Sequence, residues 1–140
     1  MELSLTTTRE PGPTGEQVVL VVAGTLDVHR APQLRQRLVD LAGTGWHDLV
    51  LDLEDVAEVD AYGLGVLLAG AARARARGGR LQLVCTRAAL LGPLRATGLV
   101  RLLPVHASVA AALRAPRPTA ALVPPPRSAP AAAERAALAG

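Results

Sequence analysis

Leu51-Asp52-Leu53-Glu54-Asp55-Val56-Ala57-Glu58-Val59-Asp60-Ala61-Tyr62-Gly63-Leu64-Gly65-Val66-Leu67-Leu68 passes from one periodicity to another within a single run. Its start, with Leu49-Val50 before it, is short and mostly apolar, the pattern of a central strand covered on both faces. Segment 54–60 reads as a solvated acidic link. Beyond it, Leu64, Leu67, Leu68 and Ala71 recur at helical spacing and predict the buried face of a helix. Asp60 is the expected N-cap, because its carboxylate can accept the unpaired N–H groups of the first turn. The Arg-rich last turn suits the negative end of the helix dipole, and Gly78-Gly79 stops the helix.

Upstream, Glu2-Leu3-Ser4-Leu5-Thr6 alternates like a half-buried strand. Residues 11–16 form a turn-rich connection to a β-branched strand from Val18 to Ala23, and the two strands are expected to pair as a hairpin. Pro32 fits the first turn of a helix whose buried face is Ala31, Leu34, Leu38 and Leu41, and Gly43-Thr44-Gly45 ends it. Downstream, Leu81-Gln82-Leu83-Val84-Cys85 is a further strand. Thr86 is the expected cap of a helix reaching Thr97, with Gly98 closing it and Pro93 kinking or splitting it. Leu102-Leu103 reads as a short extended piece, and Ser108 caps a last helix ending near Arg114.

The order β-β-α-β-α-β-α-(β)-α predicts an α/β fold, a small mixed sheet of four to five strands with helices mainly on one face. One domain is expected at 1–114. From Ala115 on, prolines punctuate an Ala-rich stretch with little to bury, so 115–140 is expected to be a disordered tail. Ala131–Leu138 is at most a marginal helix within it.

Composition narrows the function classes. The chain of 140 residues is half apolar with only 1% aromatics, so Leu, Val and Ala must build the core. No apolar run reaches the roughly 20 residues that span a bilayer, the start lacks a signal-peptide pattern, and a lone Cys85 fits a reducing compartment. A cytoplasmic protein without membrane insertion is expected. The pI of about 10.4 invites a nucleic-acid reading, but residues 1–114 hold 12 Arg against 11 acidic residues. Arg73, Arg75, Arg77 and Arg80 cluster beside no aromatic platform, so no direct nucleic-acid binding is expected.

Three readings compete for the Asp60 turn. A phosphate-binding loop is one, yet the glycines fall at 63, 65 and 70, off the dinucleotide spacing, and a P-loop needs a lysine that the chain lacks. A structural role is the second, with Asp60 as cap and Gly63 and Gly65 letting the helix pack close to the sheet. The third is a resemblance: the opening stretch resembles the signature of the STAS domain family (sulfate transporter and anti-sigma factor antagonist), a strand ending Asp-Leu and then Asp-Ser-Ser/Thr-Gly-Leu-Gly-Val-Leu. Val22-Ala23-Gly24-Thr25-Leu26-Asp27 with Ala31-Pro32, Gly78-Gly79-Arg80-Leu81, Thr97-Gly98-Leu99 and Leu103-Pro104-Val105-His106 match further segments in order. The resemblance covers roughly residues 3–114.

It implies an anti-sigma factor antagonist, a binding module and not an enzyme, whose partner is an anti-sigma factor of the serine-kinase type. In such proteins the Ser after the Asp is phosphorylated by that partner, and the unphosphorylated form binds it. Here Ala61 occupies the acceptor position and Tyr62 follows it. No phosphorylation is expected at Ala61, and the domain is expected to stay binding-competent. The implied partner surface comprises Asp27, His29, Asp60, Ala61, Tyr62, Gly63, Leu64 and Gly65. Tyr62 reads equally as an exposed anchor or as a ring folded over the domain edge. Asp27 also reads as a cap of its own turn. An accessory STAS subunit of a transporter or signalling assembly is an alternative, and a nucleotide-binding or enzymatic domain is a remoter one.

Catalytic and metal signals are weak. His29, His47 and His106 are scattered without ligand spacing, so neither a metal nor a cofactor is expected. Cys85 reads as a small core residue, and Trp46, beside His47, as a cover for the core edge.

Overall fold

The computed structural model describes residues 3–13, 15–46 and 48–116. Strands β1 (Ser4–Gly12), β2 (Gly15–Leu26), β3 (Asp48–Val59), β4 (Arg80–Val84) and β5 (Val105–His106) form one sheet in that spatial order. β1 and β2 pair antiparallel up to Gly12 opposite Gly15, the expected hairpin with a shorter turn than the 11–16 stretch suggested. All other pairs are parallel. Helices α1 (Ala31–Gly43), α2 (Ala61–Ala76) and α3 (Ala88–Ala96) link successive parallel strands. Each crossover steps one strand further in the same direction, so the three helices lie on one face. Leucines 20, 26, 34, 38, 51, 53, 67, 81, 83, 90 and 94 are fully buried in the core they share with the sheet. The expected α/β architecture is borne out. Of the tail expected at 115–140, residues 117–140, with the marginal helix, lie outside the described residues, as does His47.

Several local expectations are corrected. Residues 54–59 are not a link but the second half of β3, pairing with Ala23 to Leu26 of β2. Two register shifts insert extra residues on β3, so side-chain alternation is lost and the acidic residues no longer look like a strand. Glu54, half-buried, accepts from the Thr86 N–H (2.6 Å) and hydroxyl (2.8 Å). Thr86 is therefore not the cap of α3; Arg87 holds that position without a side-chain bond. α3 runs through Pro93 unbroken. The carbonyl that loses its partner belongs to Ala89, which is exposed and open to water. Gly98 ends the segment at φ +75°, as expected of a left-handed C-cap. Leu102-Leu103 is not extended: a 3-10 turn at Leu99–Arg101 puts Leu103 in the core and leaves Leu102 exposed. Trp46 packs on the core edge, with Arg9 5.1 Å above its ring.

Among the described residues, the second face of the sheet carries one short helix, α4 (Val109–Arg114), capped by Ser108, whose Oγ accepts from Ala111 N–H. It rests on Val19, Val50 and Val84 through Ala112. A helix of this length is unstable alone, and its last carbonyls are taken up by the sheet. Gln82 Nε2 donates to Ala112 O (3.1 Å), Gln17 Nε2 to Leu113 O (3.2 Å), and the Arg80 guanidinium to Ala115 O (2.7 Å) and Pro116 O (2.8 Å). Because the Gln82 nitrogen donates to α4, its oxygen must accept, and His106 Nε2 donates to it at 2.6 Å. Burial and then the nearby Arg80 charge hold His106 below the ordinary 6.5. The unfolded chain therefore binds this proton at a higher pH than the folded one, so stability falls as pH drops below about 6.5. Urea midpoints measured at pH values above and below that point should decline on acidification, and His106→Gln should reduce the decline.

Candidate functional site

The C-terminal ends of β2 and β3 lie side by side, so the loop after each emerges on one rim. Asp60 joins them. One carboxylate oxygen accepts from Gly63 N–H at 2.9 Å and caps α2, as expected, and the other accepts from Val28 N–H at 3.1 Å in the β2–α1 loop. Its own N–H donates to Leu26 O at 3.1 Å. Across the rim, Asp27 builds the turn that starts α1: its carboxylate accepts from His29 N–H (3.0 Å), Arg30 N–H (2.9 Å) and the Arg30 guanidinium (2.7 Å). Desolvation pushes the Asp27 pKa up, but these donors and the Arg30 charge outweigh it and hold it below 3.8. Asp27 thus does cap its own turn.

The structure brings the sequence-derived residues together on this rim. Val28 and His29 are exposed on one side, Ala61, Tyr62 and Gly65 on the other, with Leu64 half-buried. The Tyr62 ring is not folded over the edge; it stands 54% exposed. Gly63 is buried, and a Cβ on it would lie 2.7 Å from both Leu26 O and Val59 Cγ2. Nothing lies within 4 Å of the same position on Gly65, so only the first glycine serves close packing.

The buried face of α2 is also corrected. It consists of Gly63, Val66, Leu67, Gly70, Ala71 and Ala74, while Leu68 is 38% exposed. A Cβ at Gly70 would come within 3.0 Å of Leu38 and 3.3 Å of Leu81, so α2 seats on its small residues and turns a leucine outward. Its outward face carries Ala61, Tyr62, Gly65, Leu68, Ala69 and Ala72, with no charged group before the arginines of its end. A surface helix normally shows water a polar face; this one shows it an apolar patch, continued across the rim by Val28 at 48% exposure. Val28 and Leu68 are site residues that sequence reasoning missed. The signal available for Leu68 was the glycine pair at 63 and 70.

The arrangement also bears on the phosphate-loop reading. The donors that such a loop would offer an anion, Gly63 N–H and Val28 N–H, are already bound to the Asp60 carboxylate. A phosphate placed there would meet that carboxylate's charge. Among the described residues no His, Cys, Asp and Glu group is arranged to hold a metal. Cys85 is buried in the core, as expected, and burial pushes its thiol pKa up. No described helix is long and apolar enough to cross a membrane.

Residues 11–104 match the family described as Mlab, STAS domain. The chain is 37% identical over 86 residues to the anti-sigma-B factor antagonist of Bacillus subtilis (strain 168), covering 61% of this chain and 78% of that one. Among solved structures, an anti-sigma factor antagonist from Mycobacterium paratuberculosis superposes with a TM-score of 0.67 at 28% identity, over 79% of this chain and 92% of that one. A putative anti-sigma factor antagonist from Thermotoga maritima shares the fold, with a TM-score of 0.65 at 20% identity over 76% of this chain and 90% of that one.

The two rim glycines separate steric need from helix propensity. Gly63→Ala forces its methyl against a backbone carbonyl that cannot move cheaply, and should cost about 1–3 kcal/mol in chemical denaturation. Gly65→Ala should leave stability unchanged or raise it by up to about 1 kcal/mol.

Proposed function

The chain belongs to the STAS domain family, and on that premise we propose that it is an anti-sigma factor antagonist which holds an anti-sigma factor of the serine-kinase type on the Asp60 rim and the outward face of α2. The binding unit is the domain at 1–114, acting in the cytoplasm. The observation that carries this reading is the uncharged face of α2 beside exposed Tyr62 and Val28. Burying that face against a partner removes apolar surface from water without leaving a charge unpaired. Tyr62 is the anchor, an aromatic of the type enriched at binding hot spots. Asp27 and Asp60 act by shaping the two loops, and His29 adds a polar group at the edge.

Ala61 occupies the position of the phospho-acceptor serine. In a relative with that serine, a phosphate would place about −1.5 to −2 charges at the rim end of the apolar face, and the contact would lose its partner. Ala61 has no hydroxyl, so this chain is held in the binding-competent form, and its antagonism is set by its amount and not by a kinase.

In calorimetry against the anti-sigma factor of the source cell, Ala61→Asp should weaken binding at least about tenfold, with an unchanged circular dichroism spectrum. Undiminished binding by that variant would remove the rim from the interface. Incubation of the wild-type chain with that factor and ATP should leave residues 60–63 unmodified; phosphate found there would overturn the constitutive reading.

A further inference from the structure

Away from the Asp60 rim, a cleft of about 520 Å³ opens at the ends of β4 and β5, between α3 and the 3-10 turn. Its apolar wall is Leu91, Val100 and Val105, each half-buried and backed by the core. Most polar groups on its lining are already engaged. Thr86 is bound through both its N–H and its hydroxyl to Glu54, and His106 Nε2 to Gln82. Arg95 differs: it lines the cleft from α3, it is exposed, and its guanidinium has no partner among the described residues.

A hollow of ligand size with an apolar wall and, on its lining, a cation unpaired among the described residues is complementary to an amphipathic anion. A planar guanidinium matches a carboxylate in particular, since two parallel N–H bonds can reach its two oxygens. We propose that this cleft binds a small aliphatic monocarboxylate, its chain on Leu91, Val100 and Val105 and its carboxylate on Arg95. The site is independent of the partner-binding reading, shares no residue with the rim, and stands or falls separately.

Sodium hexanoate is the probe, titrated into the isotope-labelled full chain and followed by amide NMR, with sodium acetate and hexan-1-ol as controls for charge and for chain. Hexanoate should give saturable shifts confined to the cleft residues, and acetate should give none. Arg95 is exposed and has no side-chain partner among the described residues, so Arg95→Gln should fold normally; it should bind hexanoate about two- to five-fold more weakly and hexan-1-ol as before. Val100→Trp, which fills the hollow, should abolish the hexanoate shifts in a spectrum that still shows the folded protein. Shifts that do not saturate, equal hexanoate affinity in Arg95→Gln, or persistent binding by folded Val100→Trp would each overturn the proposal.

Discussion

At the start of α2 the helix comes down onto the ends of β2 and β3 so closely that no Cβ fits between them. The Leu26 carbonyl is the fixed point: it accepts the Asp60 N–H and lies where a side chain on Gly63 would have to go. With the helix pinned there, the Asp60 carboxylate faces both its own first turn and the Val28 N–H of the neighbouring loop. One side chain therefore sets the angle of α2 and the height of the β2–α1 loop together. The exposed residues on the two loops form one surface because they hang from the same pair of oxygens.

The close approach also decides what α2 shows to water. A helix seated on glycine and alanine needs few large side chains on its inner face, so leucine at 68 is left over and points out. The apolar outer face is thus a geometric companion of the small inner one. Gly70, tight against Leu38 and Leu81, extends the same constraint along the helix to α1 and β4.

Much of this was legible in the chain, and the gaps have physical causes. β2 and α1 were readable because runs of β-branched residues and leucines at helical spacing each obey one period, and Asp60 because capping is local chemistry. The second half of β3 was not readable, since register shifts against β2 break the alternation on which strand recognition rests. The facing of α2 is not legible because its residues 61–72 are apolar on every side, so counting leucines cannot choose one. Val28, a single valine between Asp27 and His29, carries no periodic signal; only the bond from its N–H to Asp60 puts it on the rim.

The same geometry gives position 61 its weight under the proposed function. A negative group near a helix N-terminus is usually welcome, because free N–H groups and the dipole receive it. At this helix the carboxylate of Asp60 has already taken the Gly63 N–H, so a charge one residue later finds that donor spent and a like charge beside it. It also stands on the only stretch of α2 whose exposed residues carry no charge. Its effect would fall on the partner contact and not on the fold. On the proposed reading, that separation is what allows a charge switch at this position without unfolding the domain, and Ala61 leaves cap, rim and apolar face intact.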